Sequence, residues 1–348
     1  MMKRVLTIFF FLIAVLWVSA QTTRALFIGN SYTSVNNLPE LVSNIYTAAG
    51  ETLDYTTSAP GGCTFQQHCN VSLPYIQQGG WDFVVLQEQS QLPSFPIGQF
   101  LQESYPYAQE LCSLIRQYNP EAKIVFYMTW GRKDGDPQNG QYYPPLNTYE
   151  GMDSLLRARY IMMAQDNQTC VSPVGAVWHY IRDQYPDMEL YQTDGSHPSY
   201  FGSYVAACSF YSTFTGRNPL DISWNGTLDA ESVDIAKNAV KKVVYDSLSA
   251  WCFAPDTVEP DSTPVIVNVS DSIYLYPIPA STILHIHVPA DLCSGSLMIM
   301  GENGIAYQQV GLVPDMTLDV SRFPAGYYHA VFNLGGFKRA FRSFIISR

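Results

Sequence analysis

Between Arg24 and about Trp251 the chain alternates between strand-like and helix-like segments, and this alternation limits the folds open to it more than any other feature. "RALFIGN", "WDFVVLQ" and "AKIVFYMTW" read as buried strands, and "ETLDYTTS" as a weaker one. Between them lie helical candidates over 38–49, 98–118, 148–165 and 174–184, with closing helices expected over 198–214, opened by Pro198, and over 230–252. Asn147 with Glu150 three positions on has the spacing of a capping box for the third of these. Strands that are apolar along their whole length are covered on both faces. Alternation of this kind therefore predicts βαβ units, an α/β fold with a parallel sheet and helices on either side. In such sheets ligands sit beyond the C-terminal ends of the strands.

The texture changes at both ends. "MMKRVLTIFFFLIAVLWVSA" combines a basic start, an apolar run and small residues before position 21, the pattern of an export signal over 1–20. The run is short for a membrane span, and no Cys follows Ala20, so neither a stable membrane insertion nor a lipid-anchored form is expected. After the α/β region, taken as 21–252, the Pro-rich and acidic stretch 253–272 reads as an extended linker. Over 273–348 short β-rich segments follow one another without a helix, predicting a small antiparallel sandwich.

Composition narrows the chemistry. Hydrophobic residues make up 47% of the 348 and charged residues 14%, enough apolar material for a large core. The net charge of −11 argues against nucleic acid, whose phosphates require a basic face. Seven cysteines in an exported chain permit disulfides, and Cys63 with Cys69 is close enough for a small loop. "GGCTFQQHC" offers Cys63, His68 and Cys69, but no second cluster completes a tetrahedral site, so neither metal nor cofactor is expected.

Two short motifs, one near each end of the α/β region, offer the residue types of acyl-transfer chemistry. Ser31, in "ALFIGNSYTS", stands at the end of the first strand. A serine hydroxyl attacks an ester only when a base takes its proton and a third group fixes that base. His197, in "YQTDGSHPSYFGSY", follows Asp194 by three residues, a spacing at which a tight turn brings the carboxylate to the far ring nitrogen. With Gly29-Asn30-Ser31 at one end of the domain and Asp194-Gly195-Ser196-His197 at the other, the chain resembles the SGNH, or GDSL-like, hydrolases, with Asn in place of the usual Asp beside the serine.

That resemblance implies a flavodoxin-like three-layer fold, with Ser31 as nucleophile, His197 as general base and Asp194 as its orienting acid. It also implies an oxyanion hole built from the Ser31 region, from a glycine after the second strand and from an amide after the third. "SAPGGCTF" supplies Gly61 and Gly62, the Gly-x-Thr pattern favouring Gly62. "VVLQEQSQ" departs from the family's Gly-x-Asn-Asp and offers Gln87 and Gln89 instead. The Gln-Gly-Glu block of the sialate and acetylxylan esterase branch favours Gln87. In "TWGRKDGD", which overhangs the same rim, Trp130 is a candidate for stacking on a sugar and Arg132 for reaching a polar substituent.

The C-terminal region has a resemblance of its own. "IYLYPIPASTILHIHV", "MGENGIAY" and "LDVSRFPAGYYHAVF" look like the sorting domain of type IX secretion, departing from it at Ile278, where Asn is usual. The resemblance implies the secretion machinery as a partner. The expectation is a secreted serine esterase acting on O-acyl, foremost O-acetyl, esters of carbohydrate. A short-chain acyl or lipid esterase is the alternative within the same chemistry, and an inactive glycan-binding surface protein is the alternative outside it.

Overall fold

Ala25, Leu26, Phe27 and Ile28 are all inaccessible, yet alternate members of the run enter different cores. Ala25 and Phe27 face one side of a sheet, and Leu26 and Ile28 the other, as the two-residue period of a strand requires. The structure, a computed structural model, describes residues 22–253, 273–293, 295–301, 306–334 and 339–348. Five parallel strands, β1 (Thr22–Ile28), β2 (Thr52–Ser58), β3 (Phe83–Leu86), β4 (Lys123–Tyr127) and β5 (Cys170–Ser172), lie in the order β2-β1-β3-β4-β5. β5 escapes a periodicity argument because it is only three residues long.

Helices cover both faces, giving a three-layer SGNH-like fold. In chain order they are α1 (Ser31–Ser34), α2 (Leu38–Ala48), α3 (Phe65–Val71), α4 (Leu73–Gln78), α5 (Ile97–Glu103), α6 (Tyr105–Tyr118), α7 (Pro137–Gly140), α8 (Tyr149–Asp166), α9 (Val174–Gln184), α10 (Tyr200–Thr215) and α11 (Ala230–Val243). α2, α9, α10 and α11 bury their apolar sides against Phe27, Phe83, Val85 and Val125. α3, α5, α6 and α8 bury theirs against Leu26, Val84, Leu86 and Phe126 on the opposite face.

Several boundaries differ from the sequence-based expectation. The segment 98–118 is two helices, because Pro106 near the start of α6 cannot continue a preceding helix and Ser104 turns out of helical geometry. α8 is capped by Thr148, whose hydroxyl accepts from Gly151 N at 3.1 Å, while the Asn147 amide donates to the Gly140 carbonyl instead. Pro198 stands outside α10, which Ser199 caps through the Gly202 N–H. α11 gives way to a tighter 3₁₀ segment, Tyr245–Trp251, that delivers Cys252 to a disulfide with Cys170. The expected Cys63–Cys69 loop is absent: both thiols are free and buried, and Cys69 turns its sulfur toward the Phe65 carbonyl within its own helix. α3 and α4 lacked a clear apolar period, although Thr64 and Gln67 form a full capping box at the start of α3.

The C-terminal region is all-β. One antiparallel sheet joins β6 (Tyr274–Tyr276), β7 (Ile283–His287) and β10 (Met316–Asp319), ordered β10-β7-β6. The other joins β8 (Ser296–Gly301), β9 (Ala306–Gly311), β11 (Gly326–Asn333) and β12 (Arg339–Ile346), ordered β12-β11-β8-β9. Alternate residues such as Leu284, Ile286, Leu297, Ile299, Ala330 and Phe332 form a core of their own. Segment 1–20 and, apart from Phe253, segment 253–272 lie outside the described residues. No helix among the described residues is long and apolar enough to cross a membrane.

Candidate active site

The sheet order places a switch point between β1 and β3, where successive connections leave in opposite directions and a crevice opens. Gly29 extends the ladder by donating its N–H to the Ser58 carbonyl at 3.0 Å. A Cβ there would lie 2.4 Å from the Thr33 hydroxyl and 2.6 Å from Gln87 Oε1, so only glycine fits. Asn30 is 1% exposed, and its side chain makes four hydrogen bonds. Its oxygen accepts from Tyr32 N (3.2 Å) and Gln87 Nε2 (3.0 Å), and its nitrogen donates to the carbonyls of Cys63 (3.1 Å) and Glu88 (3.4 Å). An aspartate would set a carboxylate against two carbonyls, which accounts for Asn at this position. Beneath the turn, His68 Nε2 lies 2.8 Å from the Gly29 carbonyl and Nδ1 lies 2.7 Å from the Ser72 hydroxyl. Burial holds this imidazole below its ordinary range, and the carbonyl requires Nε2 to carry the proton.

Ser31 follows on the first turn of α1. Its Oγ lies 2.9 Å from His197 Nε2, and His197 Nδ1 lies 2.5 Å from Asp194 Oδ2. Asp194 Oδ1 accepts from the backbone N–H groups of Ser196 (2.9 Å) and His197 (3.0 Å), a turn that Gly195 closes at φ +66. Burial raises the Asp194 carboxyl, but the hydrogen bonds from His197 and from these two N–H groups outweigh it and hold it below the usual carboxylate range. The side chains of His197 and Asp194 are 31% and 46% exposed, so the array opens to solvent.

Two contacts that spacing could not foretell join the serine and histidine loops. Asn36, at φ 55, donates to the carbonyls of Pro198 and Ser199 (both 3.1 Å) and to the Ser203 hydroxyl (2.9 Å). The Tyr32 hydroxyl lies 2.6 Å from Ser196 Oγ, and its ring meets the His197 imidazole edge-on at 5.4 Å.

Around the serine, Gly62 occupies a turn closed by Cys63 N–H donating to the Pro60 carbonyl at 3.2 Å. It adopts φ +68 and has no acceptor for its own N–H among the described residues. Gln87 is placed differently from expectation. It is fully buried, and its amide hydrogens go to Asn30 Oδ1 and to the Glu88 carbonyl, so it supports the nucleophile turn from behind. Gln89 is half-buried; its oxygen accepts from Gln91 N (2.7 Å) and Leu92 N (3.1 Å), and its nitrogen donates to Gln91 Oε1 (3.1 Å), which spends one of two hydrogens.

Trp130 offers no face to a ligand. It is fully buried, stacked between Tyr32 (4.9 Å) and Trp178 (3.6 Å), and its indole N–H donates to the Ser196 carbonyl at 3.1 Å. Its surroundings are apolar aromatic rings, which leave it the part of a support for the histidine loop. Arg132 stays at the rim, 28% exposed, with Nη1 3.6 Å from Asp136. A polar cleft of about 330 Å³ abuts Asp194, lined among others by Lys133, Glu189, Gln192 and Thr193. Among the described residues no group of three or more His, Cys, Asp or Glu is arranged to hold a metal ion.

The three-layer α/β fold thus brings serine, imidazole and carboxylate into line at its switch point. Solved structures bear on the fold. The chain is similar to a DUF4886 family protein from Bacteroides uniformis, at 18% identity and TM-score 0.57, over 66% of this chain and 95% of that one. A putative SGNH hydrolase from Slackia heliotrinireducens matches at 24% identity and TM-score 0.46, over 55% and 98%. A catalytic mutant of an acetylxylan esterase from Geobacillus stearothermophilus matches at 15% identity and TM-score 0.40, over 57% and 97%. No family model and no curated protein matches the chain.

Proposed function

We propose that this protein is a serine ester hydrolase working through an acyl-enzyme. The observation that carries the reading is the line from Ser31 Oγ to His197 Nε2 at 2.9 Å and on to Asp194 at 2.5 Å. His197 takes the serine proton as Oγ attacks the ester carbonyl, then gives it to the departing alcohol; in the second half-reaction it activates water in the same way. Asp194 accepts from Nδ1–H, which keeps Nε2 free to act as base and stabilises the imidazolium. The developing oxyanion is received by the backbone N–H groups of Ser31 and Gly62 and by the remaining Gln89 amide hydrogen. Each such donor typically contributes about 3–4 kcal/mol to transition-state stabilisation.

The substrate class that fits best is an O-acyl, foremost O-acetyl, ester on carbohydrate. The reacting groups themselves open to solvent, with the His197 and Asp194 side chains 31% and 46% exposed and the charged Arg132 28% exposed, which suits an ester carried on a large polar molecule better than a buried acyl chain. Arg132, at the rim, is proposed to meet a polar substituent. The reading includes export through the 1–20 segment and delivery by the C-terminal region as a secretion-sorting domain. Deletion of 273–348 is then expected to retain the protein inside the outer membrane of its producer, which fractionation checks.

The decisive experiment is acetate release from a panel of acetylated glycans and from a chromogenic acetate ester, comparing the protein with Ser31→Ala. Loss of turnover in the variant is expected, and equal rates would remove the nucleophile assignment. Fluorophosphonate labelling of Ser31 in the folded protein separates an active hydrolase from a glycan binder that kept only the fold.

A further inference from the structure

One fully buried acid near the site has no part in the proton relay. Glu88 directly follows Gln87 after β3 and is completely inaccessible. Its Oε1 accepts two backbone N–H groups, from Phe65 at 2.8 Å and from Gln89 at 2.7 Å, and its Oε2 accepts the Ser104 hydroxyl at 2.7 Å. Its own N–H donates to the Tyr160 hydroxyl at 3.2 Å, and its carbonyl receives Asn30 and Gln87 amide hydrogens.

The partners of the carboxyl are not arbitrary. Phe65 opens α3, three residues after Gly62, and Gln89 is the half-buried amide beyond β3. These two segments come from different crossovers of the fold, and no backbone hydrogen bond joins them among the described residues. A single oxygen atom holds both, and Ser104, at the break between α5 and α6, holds the other oxygen in place.

We infer that Glu88 is a positioning residue for ester hydrolysis: its carboxyl ties the Gly62 turn to the Gln89 segment and so sets the spacing of the groups that meet the developing oxyanion. This rests on the esterase reading above and deepens it. Donors to an oxyanion act only when held near hydrogen-bond distance of the place the charge will occupy, and small displacements lower the turnover step more than binding. Glutamine in this place keeps an oxygen for the two N–H groups and turns its NH₂ toward Ser104 Oγ, so the tie survives loss of the charge. Alanine removes the tie, and aspartate is one methylene too short to span both segments.

The test is steady-state hydrolysis of a chromogenic acetate ester by the full chain and by Ser31→Ala, Glu88→Gln, Glu88→Ala and Glu88→Asp, with folding followed by circular dichroism. Glu88→Ala and Glu88→Asp are expected to lose about 100-fold in kcat with KM within about threefold, and Glu88→Gln to stay within about threefold of the parent. If Glu88→Ala fails to fold, the Glu88→Asp and Glu88→Gln pair carries the comparison. The inference is overturned if folded Glu88→Asp keeps its kcat, if Glu88→Gln loses as much as Glu88→Asp, or if the losses fall on KM alone. Activity surviving in Ser31→Ala is a separate outcome that removes the esterase reading itself.

Discussion

Asn30 illustrates how much a single amide can decide. Its two acceptor and two donor contacts join three segments of chain at the residue before Ser31. Asn30→Asp keeps size and shape but leaves the Cys63 carbonyl without its donor and turns a carboxylate toward both it and the Glu88 carbonyl, which keeps only Gln87. Leaving buried acceptors unsatisfied costs about 1–3 kcal/mol, and a urea midpoint lowered accordingly is expected. An unchanged midpoint would mean that the amide nitrogen contributes nothing to the turn. Glu88 makes a second prediction at this scale. Burial raises its carboxyl to about 7, with the hydrogen bonds from Ser104, Gln89 and Phe65 opposing that rise. The unfolded chain loses this proton near 4.5 whereas the native state keeps it to about 7, so stability falls as pH rises through that window and levels off above it. The displacement corresponds to about 3 kcal/mol. Glu88→Gln cannot titrate, so the stability of the parent relative to this variant should fall by that order between those pH values, as read from denaturation at a series of pH.

Among the elements, the connection from α1 to α2 and the turn before α10 must stay in register, because they carry the hydroxyl and the imidazole. Asn36 spans them, and its left-handed backbone lets its amide reach the Pro198 and Ser199 carbonyls. Asn36→Gly tolerates the backbone geometry but removes the strut. A fall of about 10–100-fold in kcat, with KM little changed, is expected from steady-state kinetics, since ångström-scale misplacement of catalytic groups has effects of that order. The Cys170–Cys252 disulfide works at the same scale: it anchors the chain after α11 to edge strand β5 across a sequence separation of 82. By the chain-entropy model a loop of that size is stabilised by about 4–5 kcal/mol. Reductant should therefore lower the melting temperature of the protein and leave Cys252→Ser unaffected.

For the molecule as a whole, among the described residues the two cores of the α/β region draw no residue from the C-terminal sheets, whose own core likewise draws none from the α/β region. Every residue of the proposed reaction lies before Phe253. A chain ending at Phe253 is therefore expected to hydrolyse the chromogenic ester with kcat within about threefold of the full chain, whereas loss of activity would assign the sandwich a direct part at the site.

Read along the chain, the layers were largely legible. Continuous apolar runs separated by amphipathic segments admit few arrangements other than a parallel sheet covered on both faces. Ser31, Asp194 and His197 were legible as a set because their residue types occur in short motifs at the two ends of one such region. β5 and the α3–α4 pair were not, because three residues and two short helices carry too little periodicity to register. Nor were the placements of Gln87, Trp130 and Glu88. A glutamine or a tryptophan at a strand end reads the same whether it faces the crevice or the core, and that choice depends on partners distant in sequence. Local sequence thus determined the order of elements and the chemistry on offer, through side-chain period and turn residues. Tertiary packing alone decided which polar groups reach the reacting centre and which are spent holding it together, because a buried amide or carboxyl goes to whatever donors and acceptors the fold brings beside it.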